Sequence, residues 1–130
     1  GGTMRQSGML AAAAIYALDH HRERLTLDHD NAKRLALGLA QIPGLRVDPR
    51  EVETNILFFD LDPALPMTAP QLCDALAKQH ILMLAPGPRR IRCVTHLDVD
   101  HAAIDHALAI IRGVVTGTAT STSPRVAVGV

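Results

Sequence analysis

The sequence has 130 residues, 48% of them hydrophobic but only 2% aromatic, and its 13 Lys and Arg balance its 13 Asp and Glu. A chain of this length makes one domain that buries roughly 65–70% of its unfolded surface, and its ordinary apolar content excludes wholesale disorder. Charge balance leaves no basic face for nucleic acid, the scarcity of aromatics leaves no base-stacking platform, and no apolar run nears the roughly 20 residues of a membrane span.

The chain opens on Gly1-Gly2-Thr3, without an initiator Met or a charged-then-apolar leader, which implies either an artificially trimmed start or a start inside a longer protein. Residues 4–19 are strong helix formers around four consecutive alanines, 11–14. Met9, Leu10, Ile15 and Leu18 surround that small-residue stripe. Little of this helix suits water, which makes it either a core helix or a subunit contact. After the charged His20-His21-Arg22-Glu23-Arg24, a second helix is expected over 25–42. Leu25, Leu27, Ala32, Leu35, Leu39 and Ile42 point inward at approximate helical spacing, while Asp28, Asp30, Lys33 and Arg34 face out. Pro43-Gly44 ends it.

The period then changes. Residues 45–47 form a short strand candidate and residues 54–61 a stronger one. The uninterrupted Ile56-Leu57-Phe58-Phe59 implies a strand at least partly covered on both faces. Thr68-Ala69-Pro70-Gln71 reads as a capping box that opens a third helix. Residues 81–85 and 91–95 are expected to pair across Pro86-Gly87-Pro88 as a hairpin-like unit. Asp98 or Asp100 caps a last helix over 102–112, with Ile104, Leu108 and Ile111 as its buried stripe. From Thr116 onward the chain lacks large apolar residues and reads as a flexible tail. Two long helices, two strands, a helix, two strands and a helix predict an α+β domain: a small, mostly antiparallel sheet with helices against one face.

Most chemistry-bearing residue types lack a usable pattern. The seven histidines show no HExxH and no zinc spacing, so no metal site is expected, and His80, His101 and His106 are placed on solvated helix faces or ends. Cys73 and Cys93 are twenty residues apart without a CxxC, which fits reduced thiols in a cytoplasmic protein. In a strand Cys93 and His96 fall on opposite faces and cannot form a Cys–His pair. The arginines are more informative. Arg89, Arg90 and Arg92 follow the proline turn at the mouth of a strand, where a guanidinium can hold a carboxylate through two parallel hydrogen bonds. Arg92 stands inside the strand, where it needs either an anionic ligand or an internal carboxylate. Arg5 follows small residues that permit close approach of a phosphate or carboxylate.

Four segments in order resemble a known family. Residues 1–8 (GGTMRQSG), the helix Asp28-His29-Asp30-Asn31-Ala32-Lys33-Arg34-Leu35-Ala36, Thr54-Asn55-Ile56, and Arg92-Cys93-Val94-Thr95-His96-Leu97-Asp98 resemble motifs of the low-specificity L-threonine aldolases. The resemblance implies the C-terminal portion of a fold type I, pyridoxal 5'-phosphate (PLP) dependent lyase. Such enzymes split threonine-type β-hydroxy-α-amino acids into glycine and an aldehyde, with the cofactor as electron sink. It implies that Arg92 binds the substrate carboxylate, that Arg5 reaches a cofactor phosphate across a subunit interface, and that His96, Thr54 and Asn55 are structural. The family's Schiff-base lysine lies upstream of the first motif, and Lys33 and Lys78 match no catalytic position. No catalytic residue is therefore assigned, and the isolated chain is expected to bind cofactor weakly or not at all and to be inactive. The expected organisation is a helix linking to an absent large domain (1–24), a small α+β domain (25–115) and a tail (116–130), assembled as a homo-oligomer through the N-terminal helix. The competing readings are a non-catalytic binding or dimerisation module derived from such a fold and, less favoured by the R-x-V-T-H segment, a tryptophanase-like β-eliminating lyase.

Overall fold

The computed structural model describes residues 3–117. The expected tail beyond Gly117 and the first two glycines of the opening motif lie outside the described residues. Helix α1 (Ser7–His21) contains no buried residue, and Met9, Leu10, Ile15, Tyr16 and Leu18 all lie open. It is not a core helix of this chain.

Helix α2 (Leu25–Leu39) buries Asp28, Asn31, Ala32, Leu35, Ala36 and Leu39. That i, i+3, i+4 stripe is set by packing, and it corrects the expected phase. Leu25 and Leu27 remain 44% and 53% exposed, and Asp28 turns inward instead of out. The buried carboxylate is tolerated because Arg24, one turn earlier, donates to both of its oxygens at 3.1 and 2.9 Å. The helix stops three residues before the expected Ile42. Its last turn tightens through bonds from the amides of Gln41 to Gly38 and Ile42 to Leu39. Gly44 then reverses the chain at φ +89°, a conformation that favours glycine.

Strands β1 (Leu45–Arg46), β2 (Ile56–Leu61) and β3 (Arg90–Val94) form one antiparallel sheet in that order, with Leu45 opposite Leu61 and Phe58 opposite Arg92. The side-chain period of two puts Leu57, Phe59, Leu61, Ile91 and Cys93 on one face, all buried in the core. Helices α2, α3 (Ala69–Ala77) and α4 (His101–Thr116) complete that core with Leu35, Leu72, Leu76, Ile104 and Ile111, as an α+β layering requires. The other face is open in this chain, and Ile56 and Phe58 are 38% and 42% exposed, contrary to the covered strand expected from the ILFF run.

The expected hairpin is also corrected. Residues 81–85 form no strand: Leu84 bridges to Arg92, and β3 pairs along its length with β2 instead. Pro86 and Pro88 carry no amide hydrogen, which keeps this segment from extending the ladder. Both helix starts follow the local chemistry. Thr68 and Gln71 form a reciprocal capping box, and Asp100, not Asp98, caps α4 by accepting from the Ala103 amide at 2.8 Å.

Candidate anion site on the open sheet face

Three arginines leave the proline turn together, and β3 deals them different surroundings. Arg89 precedes the strand. Its Nη1 donates to the carbonyls of Leu65 and Met67 at 3.0 and 2.6 Å, and its Nη2 to that of Pro63 at 2.9 Å. This guanidinium gathers the irregular 63–67 loop and is occupied. Arg90, on the open face, lies 3.8 Å from an Asp60 oxygen and 5.0 Å above the Phe58 ring centroid. Arg92 is half-buried on the same face, and its guanidinium has no hydrogen bond or ion pair among the described residues. By register its same-face neighbours are Phe58 and Leu84 directly opposite, Ile56 and Val94 towards one end of the ladder, and the Asp60–Arg90 pair towards the other. A half-buried guanidinium to which no carboxylate is bonded is a ready receptor for an external one.

The end of β3 is tied down by a buried cluster. Thr95 is fully buried; its Oγ1 donates to the carbonyl of Asp28 at 2.6 Å and lies 3.3 Å from that of Asn55. The Thr95 amide donates to the Asn55 carbonyl at 2.9 Å, and Asn55 Nδ2 returns a bond to the Thr95 carbonyl at 2.8 Å. Asn31 Nδ2 donates to the Val99 carbonyl at 2.8 Å. Thr54, Asn55 and His96 thus have the structural surroundings expected of them: Thr54 Oγ1 accepts from the Ile56 amide, and His96 Nδ1 accepts from the Asp98 amide. Nothing in the sequence beyond polarity at strand ends marked Thr95 as the centre of this knot.

Arg5 is exposed ahead of α1 and makes no hydrogen bond or ion pair among the described residues. It does not join Arg92 in a common site within this chain. Cys93 is buried, with its Sγ 3.5 Å from Met83 Sδ, and burial pushes its thiol far up. Cys73 is raised too, first by burial and then by the neighbouring Asp74. Neither is poised as a nucleophile. No group of three metal-ligating side chains occurs among the described residues. His80 and His101 are exposed as expected, whereas His106 is half-buried with an unpartnered Nε2, because its position on α4 borders the buried Ala107.

The donor set gives a divided answer on PLP. Arg92 suits a carboxylate and Arg5 is free for a phosphate, yet Lys33 and Lys78 are both exposed, on α2 and at the end of α3, remote in chemistry from the apolar setting a covalent anchor requires. These residues fit an anionic ligand and do not fit a cofactor held covalently by this chain alone.

Residues 1–62 match the beta-eliminating lyase family model. Over 109 residues, 84% of this chain, the sequence is 39% identical to low-specificity L-threonine aldolase 1 of Arabidopsis thaliana and covers 30% of that protein. It is 38% identical to the low specificity L-threonine aldolase of Escherichia coli (strain K12) over 84% of this chain and 30% of that one. Among solved structures, the cystine C-S lyase C-DES in complex with its product cysteine persulfide matches with a TM-score of 0.66 and 23% identity, covering 81% of this chain and 28% of that one. A C-DES mutant with glycine covalently linked to its PLP cofactor matches at 0.65 and 22%. The described residues thus share the fold of a part of C-DES. The chain spans about 30% of the length of the curated relatives it matches, and over most of its own length it is homologous to a part of the low-specificity L-threonine aldolases.

Proposed function

We propose, from this homology to threonine aldolases, that the chain is the C-terminal part of a PLP-dependent lyase cleaving threonine or allo-threonine type β-hydroxy-α-amino acids to glycine and an aldehyde. The observation that carries the reading is Arg92, a half-buried guanidinium on the open face of β3 with no hydrogen bond or ion pair among the described residues. Its role is to bind and orient the α-carboxylate of the amino acid through paired, charge-assisted hydrogen bonds. Arg5 binds the cofactor phosphate of a neighbouring subunit in a cytoplasmic homo-oligomer joined through α1. The lysine that anchors the cofactor comes from polypeptide outside these 130 residues, and without it the chain is inactive.

Substituting Arg92→Ala in the complete enzyme tests the reading. Loss of the bidentate contact costs on the order of 2–4 kcal/mol in kcat/KM for threonine. Unchanged KM and turnover would remove the assignment. For Arg5→Ala, a normal cofactor dissociation constant would remove the phosphate role.

The fully exposed apolar face of α1 favours a second reading, a non-catalytic binding or dimerisation module. The intact mass of the native polypeptide separates the two. A mass far above 14.0 kDa supports the lyase, and a mass matching this chain supports the module.

A further inference from the structure

We infer that Phe58 and Leu84 are positioning residues for Arg92, flanking its side chain on both sides so that a carboxylate meets the guanidinium end-on. The inference rests on the carboxylate role proposed above and explains how the side chain is held for it. Its source is the hydrogen-bond register. The Thr95 amide donates to the Asn55 carbonyl at 2.9 Å and the Leu61 amide to the Arg89 carbonyl at 2.8 Å. Bonded pairs alternate along β2 and β3, so Phe58 and Arg92 face each other in a non-hydrogen-bonded pair. Such pairs bring Cα atoms to about 4.5 Å and their side chains closest together. The Arg92 backbone turns the other way. Its amide donates to the Leu84 carbonyl at 2.7 Å, and its carbonyl accepts from the Leu84 amide at 3.2 Å. Leu84 is therefore directly opposite Arg92 on its far side, and cross-strand partners share a face.

The walls differ in how they are held. Phe58 lies under the Arg90 guanidinium at 5.0 Å, and Arg90 stands 3.8 Å from the Asp60 carboxylate. The cation–π contact steadies the ring, and Asp60 offsets the charge of Arg90. Arg92 is left as the one of these three arginines whose guanidinium has no hydrogen bond or ion pair among the described residues. Leu84 belongs to an irregular segment and meets β3 through an isolated bridge, held by its pair of backbone bonds to Arg92. Apolar flanks lower the local dielectric around the guanidinium and strengthen its bond to a carboxylate beyond what an open surface arginine achieves.

The test uses the complete enzyme with threonine as substrate. In Phe58→Ala and in Leu84→Ala, KM is expected to rise on the order of five- to tenfold with kcat kept within about twofold, because a carboxylate contact common to ground and transition states is uniform binding. Inhibition by acetate should weaken in parallel, while inhibition by ethanolamine, which has the amine and no carboxylate, should not change. Phe58→Leu and Leu84→Met, which keep apolar walls, should restore both values. An unchanged KM in both alanine variants, with KM raised in Arg92→Ala, overturns the inference and leaves the carboxylate assignment standing. An unchanged KM in Arg92→Ala overturns the assignment itself. Equal weakening of acetate and ethanolamine, without rescue by the conservative variants, overturns the inference in favour of a general structural role.

Discussion

Thr95→Val isolates the knot that ties the end of β3 to α2. The substitution keeps shape and removes only the hydroxyl, whose hydrogen is donated to the Asp28 carbonyl at 2.6 Å in a fully buried setting. A buried neutral bond of this kind contributes about 0.5–1.5 kcal/mol net, and leaving an acceptor short of a partner adds up to about 1 kcal/mol more. Neither carbonyl is wholly stranded: that of Asn55 still receives the Thr95 amide, and that of Asp28 lies in the first turn of α2, where the helix ladder supplies a second donor. The expected destabilisation is therefore about 1.5–2 kcal/mol. Thr95→Ser keeps the hydroxyl and loses one buried methyl, about 0.8 kcal/mol. Thr95→Ala loses both and costs about 2.5 kcal/mol. Urea unfolding with linear extrapolation measures these differences at a constant slope. Wild type above Ser, above Val, above Ala is the predicted order. A valine variant as stable as the serine variant would refute the claim that the hydroxyl, and not the packing, holds this junction.

Three further outcomes follow from the geometry. Gly44→Ala forces a Cβ to within 2.8–2.9 Å of the Leu65 side chain at φ +89°, and urea unfolding should show a loss of about 2–3 kcal/mol from strain and overpacking together. Native-state alkylation at pH 8 should leave Cys93 unmodified and label Cys73 slowly, with both reacting in denaturant; rapid native labelling of Cys93 would contradict its burial. The Asp48 carboxyl, held by hydrogen bonds from the Arg50 side chain and amide, is lowered from 3.8 to about 2. Because its folded value is the lower one, its contribution to stability is present above the ordinary carboxylate range and disappears as pH falls toward 2, which an NMR titration of that carboxyl reads directly.

Local chemistry was legible in the linear sequence wherever neighbours in sequence supply both partners. The Thr68–Gln71 box joins groups three residues apart and forms as read, and of the two aspartates offered as the cap of the last helix Asp100 takes the role with a donor three residues on. The α+β class was legible too, because helical and alternating periods are local properties. Arg92 was visible because an arginine inside a strand needs an explanation in any fold. What was not legible depends on partners far along the chain. The phase of α2, with Asp28 inside and Leu27 outside, is chosen by the helix and strand it packs against and by the Thr95 hydroxyl 67 residues away. Residues 81–85 have the composition of a strand, but β3 finds its longer partner in β2, and a single bridge is left for Leu84.

The sequence by itself determined the α+β class, most of the helices and strands, the Thr68–Gln71 box and the chemistry of three neighbouring arginines, since each rests on short-range geometry. Tertiary structure alone decided which of those arginines is available. Registering β3 against β2 and gathering the 63–67 loop around Arg89 occupy two guanidinium groups. The third is left on the open face between Phe58 and Leu84, because alternation along a strand sends Arg90 and Arg92 to the same side while only Arg90 meets a carboxylate across the ladder.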